Sequence, residues 1–147
     1  MRLTLHTDYA LRTLIFLAAG NGKSATAPEI ARRYGISQNP LVKVIQRLRG
    51  LGYLTTSPGR GGGVKLARPA DSIRIGQVVR DTEDSLALVE CFETETNTCP
   101  LAAACLLKAR LHEALNAYLA VLDRYTVADL ATNGGQLMTL LGEPAAS

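Results

Sequence analysis

The 147-residue sequence has no apolar run of the length needed to cross a bilayer, no CxxC pair, no internal repeat and no low-complexity tract. The first absence removes a membrane span, which takes about 20 consecutive apolar residues. The second disfavours a zinc ribbon or a thioredoxin-like dithiol. Four-cysteine ferredoxin runs are missing too, as are a nucleophile–base arrangement and paired carboxylates with an obvious cleft. The glycine-rich stretch Gly59-Arg60-Gly61-Gly62-Gly63 leads from one strand-like segment into another. It therefore fails as a nucleotide cradle, which opens a helix. No catalysis is expected. Charge is also sparse, with 20% charged residues and a net charge of +3, a balance that permits nucleic-acid binding without arguing for it.

A hydrophobic content of 47% suffices for a packed core and excludes wholesale disorder. The length suits one compact domain, or a small domain with an appended element. The charges are unevenly placed. Lys43, Arg47, Arg49, Arg60, Lys65 and Arg68 make a basic middle, and Asp81, Glu83, Asp84, Glu90, Glu93 and Glu95 follow as an acidic stretch. Asp8 and Arg12 interrupt the apolar N-terminal stretch, whose hydrophobic residues recur at helical spacing. It reads as a helix rather than a signal peptide, and the chain as cytoplasmic.

The periodicity predicts a helix from about Thr7 to Ala19, ended by Gly20-Asn21-Gly22. A second opens on the capping box Thr26-Ala27-Pro28-Glu29 and stops at Gly35. Ser37 is expected to cap a third, with Leu41, Val42, Val44, Ile45, Leu48 and Leu51 inward and Gln38, Asn39, Lys43, Gln46 and Arg47 outward. Two strand-like segments follow, at residues 53–57 and 64–67, around the Gly-rich basic tip. Residues 75–83 read as a short helix, 106–124 as a long one, and Thr126 to Asp129 as another capping box.

Helix, tight glycine turn, helix and hairpin is the order of a winged helix-turn-helix. The expected fold class is mainly α with a small β-hairpin wing, joined to a long dimerisation helix. The amides of Gln38 and Asn39 suit base edges. Ser37 and the following helix start, with Pro40 in its first turn, suit a phosphate. Lys43 and Arg47 add charge toward the DNA backbone, and Arg60 at the hairpin tip suits a minor groove.

Cys91, Cys99 and Cys105 follow a C-x7-C-x5-C spacing, and no other cysteine occurs. In a reducing compartment such a trio reads as metal ligands or reactive thiols before disulfides. A further reading is three small buried side chains. As ligands, three thiolates could wrap an iron–sulfur cluster and leave one position of a four-iron cluster for another donor. Asp8, His6, His112 or a small molecule could fill it.

The opening residues 1–18, the segment 29–54, the wing region 59–83 and the three spaced cysteines together resemble the Rrf-type winged-helix iron–sulfur transcriptional repressors. The resemblance covers about residues 1–131. It implies a homodimeric repressor of operator DNA in which the long helix, through Leu107, Leu111, Leu115, Tyr118 and Leu122, meets a second copy. It implies an iron–sulfur cluster, 4Fe–4S or 2Fe–2S, on Cys91, Cys99 and Cys105. The nitric-oxide-responsive members match most closely. In these an N-terminal acid at the position of Asp8 completes the cluster from the other subunit, and cluster damage by nitric oxide releases the DNA. In an iron–sulfur-assembly branch, a histidine stands three residues after the last cysteine, where this chain has Lys108. Relatives also place arginine just before the first wing glycine, where this chain has Pro58. Two alternatives stay open: a same-fold sensor of iron or redox state using a 2Fe–2S cluster or bare thiols, and a small iron–sulfur electron carrier. The expected organisation is 1–83 for DNA binding, 84–105 for the cysteine loop, 106–131 for the dimerisation helix and the short helix after it, and 132–147 for a flexible tail.

Overall fold

The structure is a computed structural model, and it describes residues 1–142. Helix α1 spans Leu5–Ala19 and begins two residues before the position its periodicity predicts, because Thr4 caps it by accepting from Thr7 N. Leu14 and Leu17 on α1 are fully buried, each contributing about 1.5–3 kcal/mol from removal of its side chain from water. α1 is the central rod of the fold and touches the elements on every side of it.

Helix α2 (Ala27–Tyr34) is capped at its start by Thr26 Oγ1, which accepts from Glu29 N at 3.3 Å. Glu29 itself turns to Arg33, 3.9 Å away, so only half of the anticipated capping box forms. Gly35 closes α2 at φ 64, a left-handed conformation that costs a Cβ-bearing residue about 1 kcal/mol or more. Helix α3 (Gln38–Gly50) follows directly and buries Leu41, Val44, Ile45 and Leu48, whereas Val42, expected inward, is half-buried and Leu51, at the C-cap beyond the helix, is exposed. Ser37 occupies its N-cap position without making a side-chain cap bond. The expected cap thus fails, and the hydroxyl is left exposed.

Strands β1 (Leu54–Thr56) and β2 (Val64–Leu66) pair antiparallel, with Leu54 opposite Leu66 and Thr56 opposite Val64. The hairpin is tied to the turn before α2 by reciprocal bonds, Ala25 N to Val64 O at 3.0 Å and Val64 N to Ala25 O at 2.8 Å. Helix α4 (Ile75–Thr82) buries Val78 and Val79.

A segment with little regular structure then carries the cysteines as far as α5 (Leu106–Asp123). Ile75 N donates to Tyr125 O at 3.0 Å and Val127 N to Ile73 O at 2.9 Å, so the chain after α5 returns to the first half of the molecule. Helix α6 (Val127–Leu130) starts with the anticipated capping box of Thr126 and Asp129. Helix α7 (Gly134–Leu140) is a correction. The sequence reading makes this stretch part of a flexible tail, yet it packs against α1 and buries Met138. Gly134 permits the approach, because a Cβ there would lie 3.3 Å from Ala19 Cα. Residues 143–147, the rest of that tail, lie outside the described residues. No helix among the described residues is long and apolar enough to cross a membrane.

Candidate functional site

The first turn of α3 presents polar side chains on a helix whose other face is locked into the core. Ser37, Gln38, Asn39, Lys43 and Arg47 are exposed and Pro40 is half-buried. Gln46, expected outward, and Arg49 of the basic middle share the exposed surface, and the sequence reading gives neither a DNA contact, although their spacing of three and six residues from Lys43 places them on adjoining turns. Arg60 is exposed at the tip of the hairpin, beside the equally exposed Pro58.

Arg47 is not wholly free. Its Nη2 donates to Asp81 O at 2.9 Å, fastening α3 to the end of α4. Asp81 also accepts from Tyr53 Oη at 2.5 Å and from Gln77 Nε2 at 2.8 Å. Tyr53 is almost fully buried, and the Arg68 guanidinium lies over its ring at 4.5 Å. Burial first, then the bond to Asp81, pushes the Tyr53 hydroxyl far above its ordinary value, so it remains a donor at any physiological pH. Sequence reasoning misses this brace between the hairpin base and α4, because nothing in local periodicity pairs residues 28 apart.

Asp8, on the first turn of α1, is held by Arg12 one turn later. The two make a bidentate pair, Nε to Oδ1 at 3.0 Å and Nη2 to Oδ2 at 2.8 Å, as their spacing predicts. Arg12 also offers its carbonyl to Tyr34 Oη at 2.9 Å, which joins this end of α1 to α2.

The start of α1 is clasped to the end of α4, where the cysteine segment leaves. Glu83 Oε1 accepts from Thr4 N at 2.8 Å and Thr4 Oγ1 at 3.0 Å. Beneath it, buried Thr82 Oγ1 lies 3.0 Å from buried Thr7 Oγ1. Burial raises the Glu83 carboxyl, but the hydrogen bonds from Thr7 and Thr4 outweigh that and hold it below its usual 4.5. A carboxylate lowered on folding stabilises the protein above its unfolded pKa, and that contribution is lost as pH falls through the lower folded value. Glu83→Ala is therefore expected to cost about 1 kcal/mol at neutral pH. The difference in melting temperature from the parent should close in acid, below the usual 4.5. A difference unchanged by acid would remove the carboxylate from the clasp.

All three cysteines are free thiols. Cys91 is buried in a 3-10 turn (Glu90–Phe92), while Cys99 and Cys105 are half-buried. Cys99 N is fixed by Asn97 Oδ1 at 3.0 Å, and Cys105 is the N-cap residue of α5. The donor chemistry, soft and unpaired sulfurs, suits an iron–sulfur cluster. Among the described residues, however, no three His, Cys, Asp or Glu side chains converge to hold a metal.

His6 is half-buried and His112 exposed. His112 stacks face to face on Phe92, with centroids 3.7 Å apart and planes 5° from parallel. The residues expected at a dimer contact differ in their surroundings. Leu107 is 63% exposed. Leu111, Leu115 and Tyr118 line an open groove of about 570 Å³ with residues 1–3 and 85–88 of the same chain, and Leu122 packs against the core. Leu106 and Val121 are the other large apolar side chains that α5 leaves exposed.

A helix-turn-helix followed by an antiparallel hairpin, all on one core, defines a winged-helix regulator. Residues 3–133 match the sequence profile of Rrf2, described as an iron-dependent transcriptional regulator. The chain is 52% identical over 142 residues to the HTH-type transcriptional regulator NsrR of Bacillus subtilis, covering 96% of this chain and 97% of that one. Among solved structures it resembles T. potens IscR, with a TM-score of 0.73 and 24% identity across 93% of this chain and 90% of the other. It also resembles CymR, the global cysteine regulator of B. subtilis, with a TM-score of 0.69 and 27% identity over 90% of this chain and 98% of that one. The chain belongs to the Rrf2 family of transcriptional regulators, and it is a regulator rather than an enzyme.

Proposed function

We propose that this chain is a homodimeric repressor of the NsrR type, which holds its operator while an iron–sulfur cluster is intact and releases it when nitric oxide attacks the iron. The observation that carries the reading is the set of three unpaired thiols on the loosely tied segment that joins the DNA-binding half to α5. Cys91, Cys99 and Cys105 hold the cluster in this reading, and Asp8 of a second copy supplies the fourth donor. When bound, such a cluster offers iron, a strong binder of diatomic gases, beside an exchangeable oxygen ligand.

The chain's own residues support a route from that site to DNA. Among the described residues Asp8 is held by a half-exposed ion pair with Arg12 one turn on, a type worth about 0–1 kcal/mol, so the carboxylate can be drawn away at little cost. It sits on α1, which packs directly against α3. A pull on the first turn of α1 is thus felt by the helix that presents Gln38 and Asn39. The exposed Leu106, Leu107 and Val121 of α5 are apolar surface for the second copy.

The test is anaerobic purification with iron and sulfide assays, followed by a nitric-oxide titration monitored by visible absorption and by operator binding. Bleaching in step with loss of DNA affinity is the expected result. Cys99→Ala should abolish cluster binding and leave the fold intact, since Cys99 is only half-buried. Full iron and sulfide in that variant would overturn the ligand set. A parent protein without iron or sulfide would leave a DNA-binding regulator and move the cysteines to a thiol switch or to a purely structural role.

A further inference from the structure

We infer that His112 is a positioning residue for the cysteine segment: stacked on Phe92, it docks the turn that carries Cys91 onto α5. The hydrogen bonds of residues 84–104, among the described residues, close on the segment itself. Ser85 Oγ donates to Glu93 Oε1 at 2.6 Å, Thr98 Oγ1 to Glu90 Oε2 at 3.3 Å, and Cys99 N to Asn97 Oδ1 at 3.0 Å. Phe92 N to Val89 O and Glu93 N to Glu90 O, both 3.1 Å, shape the turn around Cys91. None of these fixes the turn against the rest of the molecule. The near-parallel Phe92–His112 pair does so, at 3.7 Å between centroids.

The consequence is register. Cys105 begins α5 as its N-cap residue, and His112 lies seven residues along the same helix, roughly 10 Å on. Two of the three thiols are then referred to one rigid element, Cys105 by covalent position and Cys91 through the stack beside it. Cys91 is accordingly the most buried of the three, at 8% exposure, although the turn that holds it has only local bonds. His112 itself is solvent-exposed, so its ring can be removed without opening the core.

The primary test uses the reduced, metal-free protein and does not rest on the cluster reading. Iodoacetamide labelling is followed residue by residue by mass spectrometry. In the parent, Cys91 should label more slowly than Cys99 and Cys105. In His112→Ala, labelling of Cys91 should rise roughly three- to tenfold, the range an aromatic pair of this kind can supply, with Cys99 unchanged and the melting temperature preserved. His112→Phe should restore protection, and His112→Gln should not. Phe92→Leu checks the partner and should mimic His112→Ala.

A second arm rests on the proposed function. In cluster-loaded protein, His112→Ala should release iron to a chelator faster by a similar factor, with an unchanged visible spectrum, and His112→Phe should restore the parent rate. Unchanged Cys91 labelling in His112→Ala would overturn the inference, as would failure of His112→Phe to restore protection. Restored protection without restored iron retention would uphold the docking role and add a direct contact of the His112 ring with the iron. Absence of iron in the parent would count against the proposed function alone, because the labelling arm still decides the role of the stack.

Discussion

Gly63→Ala is expected to destabilise the protein by about 3 kcal/mol, or roughly 10 °C in melting temperature for a chain of this size, and to weaken operator binding further at temperatures where it stays folded. A Cβ on Gly63 would fall well inside contact distance of the Ala25 carbonyl and within 2.9 Å of Thr26 N. These are backbone atoms at the start of α2, so no side chain can swing aside. The clash falls where the hairpin is fastened, since Val64 exchanges both of its backbone bonds with Ala25 and Gly63 O accepts from Ser57 N at 2.7 Å. Relief requires lifting the hairpin from the helix-turn-helix, which moves Arg60 relative to α3. Gly61→Ala is the control. It stands at φ 71 with no atom within 4 Å of its would-be Cβ, so it should cost only the left-handed penalty of about 1–2 kcal/mol. Thermal unfolding of the two variants decides the matter. Equal losses would mean that close approach to Ala25 is not what fixes the hairpin.

The contrast between these glycines marks the limit of the sequence as a guide. A run of three glycines after a strand announces a turn, and the turn is there. Which glycine is needed for backbone freedom and which for close approach depends on Ala25, 38 residues earlier. The helices were legible because Leu14, Leu17, Leu41, Val44 and Leu48 recur at the helical period and are buried. The two Thr caps were legible because both the donor and the spacing are local. Helix α7 was not, since Gly134-Gly135 at its start imitate a loop and its order depends on contact with Ala19, far away in the sequence. The stripe on α5 was visible, but periodicity cannot say whether a stripe meets its own chain or another. In this chain Leu111, Leu115 and Tyr118 line one wall of an open groove whose other wall is residues 1–3 and 85–88. The cysteines show the same division: their type and spacing suggest soft metal ligands, while spacing alone does not say whether they converge, and among the described residues they do not.

The surface of α3 gives the second large effect, and it separates two kinds of contact. Asn39 and Lys43 are both exposed and lie one helical turn apart. Replacing either should change stability by no more than about 0.5 kcal/mol, so losses in binding can be read as lost contacts. An asparagine amide can pair with an adenine edge through two hydrogen bonds, which are worth about 1–3 kcal/mol against the wrong base. A lysine ammonium on a phosphate carries no sequence information but releases counterions. Asn39→Ala is therefore expected to weaken operator binding by roughly ten- to a hundredfold, with little change for random DNA and an unchanged salt dependence. Lys43→Ala should weaken operator and random DNA alike and lower the slope of log affinity against log salt by about 1. Titrations of both variants against both DNAs at several salt concentrations provide the readout. If Asn39→Ala weakened random DNA as much as operator, the first turn of α3 would not be reading bases, and the recognition surface would have to be sought along Gln46 and Arg49 instead.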